Sequence, residues 1–370
     1  MSRLATTQLT RPEGIIDLSI GQPDASLLPT SIFDANNIDA PSLAYGAPAG
    51  DGRFREAMGH WLTEHCGTQV KGEALLITNG SSNAIDMICT RFSRAGDTVL
   101  VEEPTYFIAL KQFTDHGLNV VPVAMDDNGL EPEALATAIE QYQPAFIYSI
   151  PSFHNPTGID QPLPRRQQLV AIAKQHQCLL VADEVYPLLD YGKEPAAPLA
   201  SLDTDAPVLS IGTFSKILAP GLRLGWLQGS PDLTDQLSSS GLISSGGGLS
   251  PVTSALVRPL LINGHLSQHL AQLRHTLKER RDTLVNALHR HCGDRLQFNL
   301  PHGGYFLWAH TQADIDTQKL LPRAKAEGVG YLPGAACYTH TNTSNAMRLC
   351  FAFYDNEELA LAGERLGLVL

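Results

Sequence analysis

The segment GTFSKILAPGLRLGW, residues 212–226, sets a lysine among small and hydroxyl-bearing residues, with an arginine seven positions further on. A lysine that is to form a Schiff base must be held away from bulk water, with its amine available in the neutral form during turnover. Thr213 and Ser215 can donate to phosphate oxygens, and the planar fork of Arg223 grips the same group. Taken singly, Lys216 would read as a solvated surface residue. Its neighbours point instead to a Schiff-base lysine beside a phosphate site.

Other segments carry comparable signals, each with a plainer alternative. The apolar run AFIYSI leads straight into PSFHNPTG, residues 151–158, where Asn155 would lie beyond the carboxyl end of a strand. Ligands of open α/β sheets bind there, although NPTG alone is simply a good turn. CLLVAD ends in DEVY, residues 183–186, and Asp183 is costly to bury at a strand end unless it meets a cation or donors. A helix N-cap is the competing reading. In ALLITNGSSNAIDMI, residues 74–88, a strand, a turn and a helix follow one another, so Gly80, Ser81 and Ser82 can offer backbone N–H groups and hydroxyls to an anion, or merely cap the helix. Tyr106 in EEPTYF, Tyr45 in YGAPAGDGRFREAM and Arg348 in NAMRLCFAF would, alone, be a core aromatic, a rim residue and a surface ion pair.

These residues need elements to hold them. Between about residues 75 and 227 the chain alternates short apolar runs with amphipathic stretches, the pattern of βα units on a mostly parallel sheet. Strands are expected at residues 74–78, 97–102, 119–124, 145–150, 178–183, 208–212 and 222–227, with helices such as 82–94, 132–142 and 163–176 between them. Right-handed crossovers then give one sheet with helices on both faces. A long helical stretch follows at about 250–290, broken near Asn263 and Gly264, and then short strands in QFNL, GYFLWAH and MRLCFAF mixed with helices near 317–327 and 356–366. The fold class is therefore α/β, with a large domain over residues 40–262 and a smaller α+β domain from residues 1–39 and 263–370. The Ser/Gly-rich stretch at 238–251 is expected to be a flexible loop, either a linker or a lid.

Together the segments resemble the fold type I, class I/II aminotransferases that use pyridoxal 5'-phosphate. Residues 213–225 are similar to that family's S-x-S-K-x-x-x-P-G-x-R-x-G motif, with Thr213 in place of the first serine and Lys216, Pro220, Gly221, Arg223 and Gly225 in register. The resemblance runs from about residue 17 to 353, with the motifs in the family's order. It implies a Schiff base between Lys216 and the cofactor, whose phosphate is held by Gly80, Ser81, Ser82, Thr213, Ser215 and Arg223. Asn83 stands where the family has glutamine, which leaves the role of that position open. Asn155 and Tyr186 would donate to the phenolic oxygen, Tyr106 would stack on the pyridine, and Asp183 would pair with its protonated nitrogen and strengthen the ring as an electron sink. For substrate, the resemblance implies that Arg348 and Asn155, with the main chain at Gly21, hold the α-carboxylate. Tyr45 would reach the phosphate of a neighbouring subunit, so a homodimer with shared sites is expected.

The implied activity is ping-pong transamination between an amino acid and a 2-oxo acid, with Lys216, Asp183 and Tyr186 as the catalytic residues. A lyase acting by β-elimination on the same fold is the nearest alternative. A non-catalytic effector domain of a transcription regulator is another, and such regulators carry a basic N-terminal winged-helix module, whereas this acidic chain opens on the substrate loop. The 38 Asp and Glu against 26 Lys and Arg give a net charge of −12, which disfavours nucleic acid and anionic membrane as partners. The six cysteines are scattered with no CxxC pair, so neither a metal site nor a disulfide framework is expected, and with no leader or membrane-length apolar run the reading is a cytoplasmic protein. The loop at 22–33 offers Leu27, Leu28 and Pro29 and no cation, which favours an apolar or aromatic substrate side chain.

Overall fold

The structure, a computed structural model, describes residues 11–192, 196–340 and 343–370. Its centre is a seven-stranded sheet of β1 (Leu75–Thr78), β2 (Thr98–Glu102), β3 (Asn119–Val123), β4 (Phe146–Ser149), β5 (Leu179–Asp183), β6 (Val208–Thr213) and β7 (Gly225–Gln228). The spatial order is β1-β7-β6-β5-β4-β2-β3. All neighbours pair in parallel except β7, which runs antiparallel to both β1 and β6. Every expected strand is present. They read as unbroken apolar runs because β1, β4, β5, β6 and β7 are buried along their whole length, with helices over both faces.

Alternate residues feed two cores. Val99, Val101, Phe146 and Tyr148 point into one with Ile85 and Ile88 of α2 (Ser81–Phe92) and Phe113 of α3 (Phe107–Asp115). Leu100, Ile147, Leu180 and Ala182 point into the other with Leu135 of α4 (Pro132–Tyr142) and Leu169 of α5 (Leu163–His176). This period of two is the pleat of each strand, and each leucine so buried contributes roughly 1.5–3 kcal/mol. The last strand starts later than its apolar pattern suggests. Pro220–Leu222 forms a 3-10 turn and Arg223 takes a left-handed φ of 45°, which turns the chain before β7.

Beyond the sheet, α6 (Pro251–Ile262) and the 28-residue α7 (His265–Cys292) are separated by Asn263 and Gly264, whose φ of 78° is cheap only for glycine. A four-stranded antiparallel sheet follows, made of β8 (Gln297–Phe298), β9 (Phe306–His310), β10 (Leu332–Pro333) and β11 (Ala346–Cys350) in the order β8-β9-β11-β10. The helices there are α8 (Thr317–Ala326) and α9 (Asn356–Val369). Ile16 and Asp17 pair with Val329 and Gly330, so the start of the described chain packs on this half.

The Ser/Gly-rich stretch differs from expectation. It contains a helical turn, Gly241–Gly246, whose N-cap Ser240 accepts from the Ile243 N–H. Gly248 pairs with Gly46, and a Cβ on Gly248 would stand 1.8 Å from the Ala47 carbonyl oxygen. The glycines that suggested slack here allow backbone to lie on backbone. Among the described residues no helix is long and apolar enough to cross a membrane.

Candidate active site

The carboxyl ends of β4, β5 and β6 open onto one pocket, lined by Gly21, Ser81, Tyr106, Asn155, Asp183, Tyr186, Lys216 and Arg348 among the expected residues. Asp183 is the last residue of β5 and is buried. Its Oδ2 accepts a 2.5 Å hydrogen bond from the Tyr148 hydroxyl, while its Oδ1 has no partner among the described residues. Burial lifts this carboxyl to about 6. Tyr148 and the charge of Lys216 act in the opposite direction.

Lys216 enters from the turn after β6. Its Nζ donates to the Gly21 carbonyl at 3.0 Å and lies 5.9 and 5.5 Å from the ring centroids of Tyr186 and Tyr305. The Tyr305 hydroxyl donates in turn to the Lys216 carbonyl, at 2.7 Å. Desolvation pulls the amine down to about 8. A substantial neutral fraction is thereby available, as a nucleophile or proton acceptor requires.

Arg348, on β11, is buried and held from three sides. It donates from Nη1 to Asn155 Oδ1 at 2.9 Å and from Nη2 to the Ser19 carbonyl at 2.8 Å, and its guanidinium stands 4.0 Å from the Phe306 ring centroid. Its Nε has no partner among the described residues. Because Asn155 Oδ1 already accepts from Arg348, the amide nitrogen is the atom left to donate into the pocket. Tyr186 is buried edge-on against Phe306, and desolvation holds its phenol well above the usual range. It is a neutral donor.

A second cluster lies at the start of α2. Gly80 has φ 88°, and a Cβ there would come within 2.8 Å of Arg223 Nη2. That guanidinium donates to the Asn79 and Pro220 carbonyls, and Thr213 Oγ1 lies 3.0 Å from Ser215 Oγ. Asn83 Oδ1 accepts from the Asn79 N–H at 3.0 Å, so this position holds the turn in shape. Ser82 is exposed and its carbonyl accepts from Gln112, so it does not line the pocket with Ser81. Tyr45 is 88% exposed and does not reach the pocket of its own chain.

Several lining residues carry no local sequence signal. Ser19, Phe107, Ile108, Ile150, Val185 and Phe306 complete the walls, and Tyr148 stands behind Asp183. Leu27, Leu28 and Pro29 line a separate surface groove with His265 and His269. His154 is structural: it is buried, with Nε2 3.1 Å from Glu102 Oε2 and Nδ1 2.9 Å from Thr157 Oγ1. Among the described residues no cluster could hold a metal ion.

The sequence profile of the aminotransferase class I and II family matches residues 13–366. The chain is 30% identical to aromatic-amino-acid aminotransferase 1 of Thermococcus litoralis over 97% of this chain and 89% of that protein. It is 29% identical to the uncharacterized HTH-type transcriptional regulator YdfD of Bacillus subtilis, over 96% of this chain and 74% of the regulator. Among solved structures, a Pyrococcus horikoshii kynurenine aminotransferase in complex with PMP superposes with a TM-score of 0.88 at 30% identity, covering 96% of this chain and 90% of that one. The chain belongs to the class I and II aminotransferases. It is a pyridoxal-phosphate-dependent enzyme that moves an amino group from an amino acid to a 2-oxo acid by ping-pong Schiff-base chemistry.

The pocket fits that cofactor on its own terms. A buried carboxylate oxygen without a partner suits a protonated ring nitrogen, a desolvated lysine suits an aldehyde, and the cradle at Gly80 and Arg223 suits a phosphate.

Proposed function

We propose that this pocket transaminates amino acids with apolar or aromatic side chains, with Lys216 as the proton-moving base and Arg348 as the carboxylate clamp. The observation that carries the reading is the convergence of the Lys216 amine, the unpaired Asp183 Oδ1 and the Arg348 guanidinium on one cavity. Pyridoxal phosphate, when bound, supplies an aldehyde for the amino group and a ring that draws electron density from the α-carbon. Asp183 would hold the ring nitrogen, Asn155 and Tyr186 the phenolic oxygen, and Tyr106 the ring face. Gly80, Ser81, Thr213, Ser215 and Arg223 would surround the phosphate.

Arg348 fixes the substrate's α-carboxylate, with the main chain at Gly21 beside it, and so sets the Cα–H bond toward Lys216. The Lys216 Nζ, neutral in an appreciable fraction, takes the α-proton and returns it on the far side of the reaction. Phe107, Ile108, Ile150, Val185 and Phe306 offer the side chain apolar surface. No cation other than Lys216 and Arg348 lines the pocket among the described residues, which supports an uncharged side chain.

On this reading the working enzyme is a homodimer in which Tyr45 serves the partner's phosphate site, supported by the exposure of Tyr45 and of Leu43, 72% exposed, beside it. Residues 40–262 form the cofactor-binding domain and residues 1–39 with 263–370 the smaller one, as the location of the two sheets supports. Six free, buried cysteines support a reducing, cytoplasmic setting.

Wild-type and Lys216→Ala proteins, loaded with cofactor, test the assignment. Wild type is expected to form one equivalent of 2-oxo acid per site from phenylalanine or leucine, and to turn over repeatedly only when an acceptor 2-oxo acid is present. The variant is expected to lose about 10²–10⁴-fold in kcat at least. Undiminished turnover by Lys216→Ala, or a preference for aspartate, overturns the reading.

A further inference from the structure

We infer that Tyr148 is a positioning residue for the reaction: its hydroxyl fixes the Asp183 carboxylate so that Oδ1 faces the pocket, and thereby sets how firmly the ring nitrogen is held. The inference rests on the assignment of Asp183 to that nitrogen. Tyr148 on β4 pairs in register with Val181 on β5, two residues before Asp183. The pleat therefore puts Tyr148 and Asp183 on the same face of adjacent strands, as a diagonal pair that a phenol can span.

The phenol is fixed from behind. Tyr148 is fully buried, and its ring meets that of Phe113 edge-on at 5.3 Å. Its hydroxyl donates to Asp183 Oδ2 at 2.5 Å, leaving Oδ1 as the free acceptor. Burial and the adjacent carboxylate both push the phenol well above its usual range, so it stays a donor at every working pH. Another buried carboxylate nearby, Glu102, is occupied by Ser149 Oγ at 2.6 Å, the Ile150 N–H at 2.8 Å and Gln161 Nε2 at 3.1 Å, with His154 beside it. It does not compete for Tyr148.

Without the hydroxyl, Asp183 would keep its burial and lose the one side-chain hydrogen bond it makes among the described residues, so the carboxyl would rotate or take up a proton. Either change weakens its hold on a cationic ring nitrogen. Neither touches Arg348, so substrate binding should be spared.

The test compares wild type, Tyr148→Phe, Asp183→Asn and the double variant, measuring pyridoxal phosphate affinity by titration of apoprotein, and kcat and KM for the amino acid. Tyr148→Phe is expected to weaken cofactor binding and lower kcat by about tenfold or more, the worth of one hydrogen bond to a buried charge. Its KM should stay within about twofold of wild type. In the Asp183→Asn background the same change should add nothing, because the effect passes through that carboxylate. Wild-type behaviour of Tyr148→Phe, or an equal loss in both backgrounds, overturns the inference while Asp183→Asn still impairs the enzyme. If Asp183→Asn itself binds and turns over normally, the assignment of Asp183 fails and takes the inference with it. Replacing Tyr148 by 3-fluorotyrosine keeps the shape and strengthens the donor, so it serves if the phenylalanine variant does not fold. A shifted absorbance maximum of the bound cofactor is expected, and an unshifted one counts against the role.

Discussion

At one end of the pocket Asp183, Arg348 and Tyr186 are buried and Lys216 is half-buried, and they are engaged by neighbours from β4, β9 and the loop at Ser19 to Gly21. Beyond its other end, at the start of α2, Arg223 and Ser82 are exposed, the arginine donates to backbone carbonyls, and Tyr45 stands in solvent. The two ends follow different physics. Buried charges must be satisfied by a rigid surround or they cost several kcal/mol, whereas exposed ones are screened and lose little when they wait for a ligand. The first end is therefore complete within one chain, and the second is finished by phosphate and, on the proposed assembly, by a second copy.

That contrast sets an order of expected effects. Arg348→Ala should be the most damaging of three substitutions, lowering kcat/KM for the amino acid roughly a hundredfold or more through KM, because it also strands Asn155 Oδ1. Steady-state kinetics over a range of amino acid concentrations measures it, and a loss below tenfold would break the distinction between the ends. Arg223→Ala should cost about tenfold in cofactor affinity, since the lost charge is exposed and screened. Dialysis of loaded enzyme reads this, and the deficit should shrink as salt rises. Tyr45→Phe should be mildest, about a threefold weakening of cofactor binding. It should vanish when the protein is diluted to monomer, as sedimentation at matched concentrations can establish.

Much of the fold could be read directly because each βα unit is local. Seven apolar runs bounded by turns became seven strands, and the break at Asn263 and Gly264 fell between two helices as expected. The turn at Gly80 and the lysine segment could be located for the same reason: strand, glycine, hydroxyl and helix follow one another in the chain. Tyr148 was not legible. It sits in AFIYSI, where five consecutive residues, Phe146 to Ile150, are buried, so no alternation marks its face, and its partner lies 35 residues away on another strand. Phe107 and Phe306 were hidden likewise, because only tertiary folding sets them on either side of Arg348. The stretch at 238–251 misled in the other direction, since glycine signals tight approach as readily as freedom.

The hydrogen bond from the Lys216 amine to the Gly21 carbonyl closes a span of 195 residues with a single proton. The described N-terminal segment thereby borders the same cavity as the turn after β6, so the pocket is assembled from parts of the chain that lie far apart in sequence.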